Sequence, residues 1–177
     1  MAGRTREVIY SRGLAKHRQD TEEKVASFEL TQSSQSSHFP VALIAAALND
    51  PEVAVEYLGV ERLGQADAHH VRVWKTFVTQ PKLASSARAS SREFWIDTNS
   101  GLPAKLTYEI RKGWGPVAAI PAEVRYSDYQ PHGGLLFPHR IEKSLNGSAW
   151  GVFTIQSVAV DTGVASTEFT IQQEKPR

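Results

Sequence analysis

Over residues 53–155 the chain alternates apolar and polar positions with period two, in one short segment after another. In "AKLTYEIR", Ala104, Leu106, Tyr108 and Ile110 share one face, while Lys105, Thr107, Glu109 and Arg111 share the other. This pattern predicts antiparallel strands with one buried and one wet face. "VAVEYLGVERL" and "AHHVRVWKTFV" read as partners across a turn at residues 64–67, with Gly59 as a bulge or bend. "REFWIDTNSGLPAKLTYEIRK" reads as a hairpin. "PAEVRYSDYQ" repeats the alternation, with Ala122, Val124 and Tyr126 opposing Glu123, Arg125 and Ser127. "PHGG" turns the chain into "LLFPHRIEKSL", and Asn146-Gly147 is a hairpin turn before "SAWGVFTIQSVAV".

One stretch breaks the period. "PVALIAAALND", residues 40–50, opens on a proline suited to a first helical turn, presents no polar face before Asn49, and stops at Pro51. A helix apolar all round should be covered on most sides. With about eight or nine strands in consecutive hairpins, the expected architecture is a mainly β (α+β) fold. It is a curved antiparallel sheet or incomplete barrel, with this helix on its concave face. A close fit makes the helix core, and a loose fit leaves a pocket for an apolar ligand.

The ends are less patterned. Residues 8–10 and 25–30 read as short strands joined by the charged connection "SRGLAKHRQDTEE", and "QPKLASSARASS" reads as a long mobile loop. The 177 residues fit a single domain, of which residues 1–38 are polar connections and short strands.

Composition narrows the chemistry. A formal net charge of +1 gives no electrostatic footprint for nucleic acid or an anionic membrane, and the absence of cysteine removes disulfides and thiolate chemistry. The longest apolar run, residues 41–48, is too short for a transmembrane segment, and the N-terminus carries no signal-peptide core, which leaves two readings, a cytosolic chain or one whose export signal has been removed. His69 and His70 are strand neighbours pointing to opposite faces, so they do not share a metal ion, and His132 and His139 read as solvated or edge histidines. "DTNSG" lacks the glycine and glutamate of a calcium loop and reads as a hairpin loop. No nucleophile elbow, phosphate loop, dinucleotide fingerprint or zinc helix occurs, so no enzyme, catalytic residue, metal or cofactor is expected. Strand carboxylates read as a wet outer face. Trp74, Trp95 and Trp150 read as core or cavity wall, and Trp114 as a loop aromatic capping the barrel mouth or meeting a partner.

The segments "REFWIDTNSGLPAKLTYE", "RYSDYQPHGGLLFPHRIEKSLNGSAWGVFTIQSVAVDTG" and "STEFTI" together resemble the C-terminal half of the LolA-like outer-membrane lipoprotein carrier family and related half-barrels. The resemblance spans residues 53–171 and rests on strand and turn cadence. It implies an incomplete antiparallel barrel with helices across its mouth, a periplasmic or otherwise extracytoplasmic location, and binding of acyl chains or lipidated proteins. No functional arginine of the carriers finds a match here, and the family's N-terminal helix has no clear counterpart.

The reading is a non-enzymatic carrier holding a lipid or acyl chain. By alternation and resemblance its lining candidates are Leu43, Ile44, Leu48, Leu106, Tyr108, Ile110, Val124, Tyr126, Phe153 and Ile155. The alternative is a cell-envelope interaction or sensor module with a packed core, contacting a protein through loops 82–91 and 113–121.

Overall fold

The computed structural model describes residues 6–11, 14–19, 22–27, 39–110, 119–160 and 162–163. The chain divides into two compact units, residues 36–158 and residues 1–35 with 159–177. The smaller unit contains a three-stranded antiparallel meander, β1 (Arg6–Ser11), β2 (Leu14–Gln19) and β3 (Glu22–Ser27). Here the structure corrects the sequence reading: the charged connection is itself the middle strand. Alternation of a few small or apolar residues with charged ones is enough for a strand that pairs on both sides, and backbone pairing does not require a greasy sequence.

The larger unit is a single curved, unclosed antiparallel sheet of seven strands. In chain order they are β4 (Val53–Leu63), β5 (Ala66–Lys75), β6 (Arg92–Asp97), β7 (Pro103–Ile110), β8 (Ile120–His132), β9 (Leu135–Leu145) and β10 (Ser148–Thr154). Each strand pairs with the next, leaving β4 and β10 at the edges. The expected curved antiparallel sheet with one short helix is therefore present. The described strands number ten, split seven and three between two sheets instead of eight or nine in one. Of "SAWGVFTIQSVAV", only the first seven residues are strand.

Turn chemistry sets the register. Gly64, Gly133 and Gly134 take positive φ between their strands, and Asn146 and Gly147 both do so, at 49° and 76°. That pair is the requirement of the tight hairpin turn matching the twist of its strands. Gly59, at φ 116°, is a bulge that shifts the β4–β5 register between Tyr57 and Gly59. In "DTNSG", Asp97 Oδ1 accepts from the backbone N–H groups of Asn99 and Ser100 and from the Ser100 hydroxyl, closing a polar hairpin loop.

The helix α1 spans Pro40–Leu48, with Pro40 in its first turn and Asn49 as C-cap. Phe39, at its N-cap, supplies no side-chain hydrogen bond; its ring meets Phe137 of β9 edge-on at 6.0 Å. The segment expected as a mobile loop is instead ordered in two 3₁₀ turns, Pro81–Ser86 and Arg88–Ser90. Pro81 starts the first. The Ser90 hydroxyl bonds to Ala87 O at 2.6 Å and accepts from Lys75 N at 2.9 Å, tying the second to β5.

Candidate functional site

The register aligns side chains in rows across the sheet. One row on the face toward α1 runs Tyr57, Val71, Phe94, Leu106, Val124 and Lys143. The next runs Val55, Val73, Arg92, Tyr108, Ala122 and Leu145, and a shorter one holds Tyr126, Ile141 and Phe153. Phe94, Leu106, Val124, Tyr126 and Ile141 form the buried core of this inner face. Leu43 and Ile44 of α1 pack on it with Tyr108, Phe153 and Ile155.

Nine of the ten candidate residues thus fall in three places. Leu106, Val124 and Tyr126 are core, while Leu43, Ile44, Tyr108, Phe153 and Ile155 border it, and Ile110 ends β7, partly buried, in register with Ile120. Leu48 is the outlier, 69% exposed at the last turn of α1. It does border an apolar cleft between α1 and the sheet, with Ile44, Ala47, Val55, Val71, Val73, Phe94 and Ile96. The cleft holds about 40 Å³, roughly the share of one water or methyl-sized group. Beyond it the inner face of β4 is uncovered: Val55, Tyr57 and Val60 are all exposed.

Two inner-face residues escaped the sequence reading. Lys143 is only 4% exposed, with Nζ 5.7 Å from the centre of the Tyr108 ring and 5.3 Å from that of Trp150. Arg92 is the cross-strand neighbour of Tyr108, and burial pulls its guanidinium below the ordinary arginine range. Burial likewise pushes the Tyr126 phenol up. The signal was in the alternation: Arg92 keeps step with Phe94 and Ile96, and Lys143 with Ile141 and Leu145.

The outer face is less uniformly wet than its carboxylates suggested. Trp95 is 7% exposed, yet lies opposite the core. Its ring stacks on His70 at 4.1 Å, its Nε1–H donates to Glu61 Oε2 at 2.9 Å, and Lys105 Nζ sits 3.3 Å above its ring. Arg72 bridges Glu56 and Glu93. As expected, His69 points the other way from His70, placing Nδ1 3.0 Å from the Tyr57 hydroxyl. Two further corrections concern aromatic rings. Trp150, expected in the core or cavity wall, is 54% exposed because it stands on edge strand β10 at a register shift. His139, expected solvated or at an edge, is 6% exposed, with the His132 ring against it.

His139 faces His132 with Nε2 to Nε2 at 2.7 Å and ring centres 4.9 Å apart. An imidazole's centre lies a little over ~1 Å from its nitrogen, so this centre spacing means rings nearly in line, joined head to head by one N–H···N bond. Among the described residues no group of three or more His, Asp or Glu could hold a metal ion, and no helix is long and apolar enough to cross a membrane. Trp114 and the residues of loop 113–121 up to 118 lie outside the described residues, as does "STEFTI".

A second space lies beside the 3₁₀ segment. This open cleft of about 680 Å³ takes its walls from Arg88 and Ser91, from Glu56, Arg72, Trp74 and Glu93, and from Tyr108 and Ala122.

No family model and no curated protein matches the sequence. Among solved structures, the chain is similar to a LolA superfamily protein from Nitrosomonas europaea, at 12% identity and a TM-score of 0.49, covering 94% of this chain and 70% of that one. It is also similar to a putative outer membrane lipoprotein-sorting protein domain from Vibrio parahaemolyticus, at 13% identity and a TM-score of 0.47, over 88% and 68% of the two chains. A DUF1329 family protein from Desulfovibrio piger is a third, at 11% identity and a TM-score of 0.44, over 89% and 69%.

Proposed function

We propose that this protein is a non-enzymatic binding module that takes an acyl chain, free or on a lipidated protein, between α1 and the inner face of the sheet. The observation that supports it is the continuous apolar path from the small cleft at Ile44 and Leu48 onto the uncovered Val55, Tyr57 and Val60 of edge strand β4. A soluble domain gains nothing in stability from leaving such a strip open, and exposed apolar tracts mark ligand or partner sites. In this reading α1 is a lid: 40 Å³ is far short of the hundreds of cubic ångströms an oily ligand fills, so the chain enters by displacing the helix. α1 suits that role, with neither a side-chain cap at its N-terminus nor an acidic residue in its first turn to anchor it. The extracytoplasmic location implied by the resemblance is part of the same proposal.

The small size of that cleft favours a second reading, a cell-envelope interaction module with a packed core and no small-molecule ligand. Uptake of the methyl ester of a fluorescent fatty acid, followed by emission and by native mass spectrometry, separates the two. The carrier reading expects a one-to-one complex that is lost in Leu48→Arg and Val55→Arg. Both positions are half or more exposed, so the folded state should survive. Absence of uptake by the wild-type protein overturns the carrier reading in favour of the packed module.

A further inference from the structure

Arg92 and Lys143 are the charged members of two inner-face rows whose other members are apolar or aromatic. Both face Tyr108: Arg92 is its cross-strand partner, and Lys143 Nζ lies 5.7 Å from its ring centre. Taking a cation out of water is costly, so a cation kept on an apolar face is a place where an anion would be favourably received. Arg92 and Tyr108 are each only partly buried, so solvent reaches this end of the inner face. The phenols of Tyr108 and Tyr126, both near Arg92, add hydroxyl donors to the same surroundings.

We infer that Arg92 and Lys143, with Tyr108 between them, receive the anionic head group of an amphiphile whose apolar chain lies along the inner face. This rests on the proposed acyl-binding reading and gives its ligand a polarity. The head group is a carboxylate or a phosphate. Arg92 offers a planar fork that suits either oxyanion, while Lys143 offers a point charge. In a low-dielectric setting an anion between them is held by charge-assisted hydrogen bonds, while the tail displaces water from the strip at Val55 and Tyr57.

The test is equilibrium binding of cis-parinaric acid and of its methyl ester to the full chain, with dodecyl phosphate and dodecanol as competitors. The inference expects the acid to bind about tenfold or more tighter than the ester, the worth of one charge-assisted bond over a neutral one. Dodecyl phosphate should outcompete dodecanol if phosphates are accepted, and fail to do so if the site takes carboxylates alone. In Arg92→Met and Lys143→Met, which keep an unbranched apolar stem, the acid's affinity should fall to that of the ester while the ester's is unchanged. Equal binding of acid and ester by the wild-type protein overturns the inference and leaves the acyl-binding reading standing. Failure of every probe to bind overturns both. A preference for the acid that persists in both folded variants overturns the assignment to these two residues, and the wild-type comparison decides the matter if either variant does not fold.

Discussion

His70 bridges two carboxylates from different strands, with Nδ1 2.8 Å from Glu61 Oε1 on β4 and Nε2 3.1 Å from Glu93 Oε2 on β6. With Trp95 stacked on its ring, His70 closes a cluster that ties three consecutive strands together on the outer face. His70→Leu should therefore destabilise the larger unit by about 1–3 kcal/mol, because the carboxylates lose the imidazole between them in a partly buried place. Urea denaturation of the variant measures this. A midpoint unchanged from wild type would show the cluster to be decoration.

Acid should destabilise the fold. Asp50 is held below the ordinary carboxylate range chiefly by the backbone N–H of Glu52, Glu52 by the Thr79 hydroxyl, Glu61 by the Trp95 indole and Asp97 by the backbone N–H of Ser100. A folded-state pKa below the unfolded one means that the unfolded chain binds more protons in the acid range. The contribution is fully present above the unfolded carboxylate values, about 4, and is lost as pH falls through the lower folded values. The urea midpoint should thus drop on going from about pH 6 to about pH 3, and a rise or a flat profile over that interval would contradict the assignment.

Two leucines among the lining candidates should separate stability from binding. Leu106, 1% exposed in the core, should cost about 2–5 kcal/mol when changed to alanine, since the site cannot fully collapse on the void. Leu48→Ala, at 69% exposure, should stay within roughly 0.5 kcal/mol of wild type yet weaken uptake of an acyl probe. Thermal melts and probe titrations on the two variants decide it. If Leu48→Ala binds as wild type does, α1 is not the lid.

Gly59 should resist substitution for a backbone reason alone. A Cβ at this position would meet nothing within 4 Å, so space is not the issue. At φ 116°, however, any L-residue is strained, and Gly59→Ala should cost on the order of 1–3 kcal/mol or slide the β4–β5 register. Amide exchange along β4 reads either outcome; unaltered protection would refute the bulge geometry.

What the sequence determined by itself is what depends on neighbours along the chain. Alternation at residues 104–110 and 122–127 fixed which side chains share a face, Asn146-Gly147 fixed a turn, and Pro40 with Pro51 bounded a helix, because local backbone sterics act within a few residues. Burial is a property of what lies across the sheet, and only the tertiary structure decided it. Trp95 became buried on the outer face through His70 and Lys105, Trp150 stayed exposed on an edge strand, and His139 was covered with His132 against its ring. The cations at Arg92 and Lys143 were legible in the alternation, but a charged residue in step with apolar ones acquires meaning only when registers bring two of them to one tyrosine. The size of the gap under α1 could not be written in the sequence at all, because a void is the difference between packed surfaces that come from distant parts of the chain.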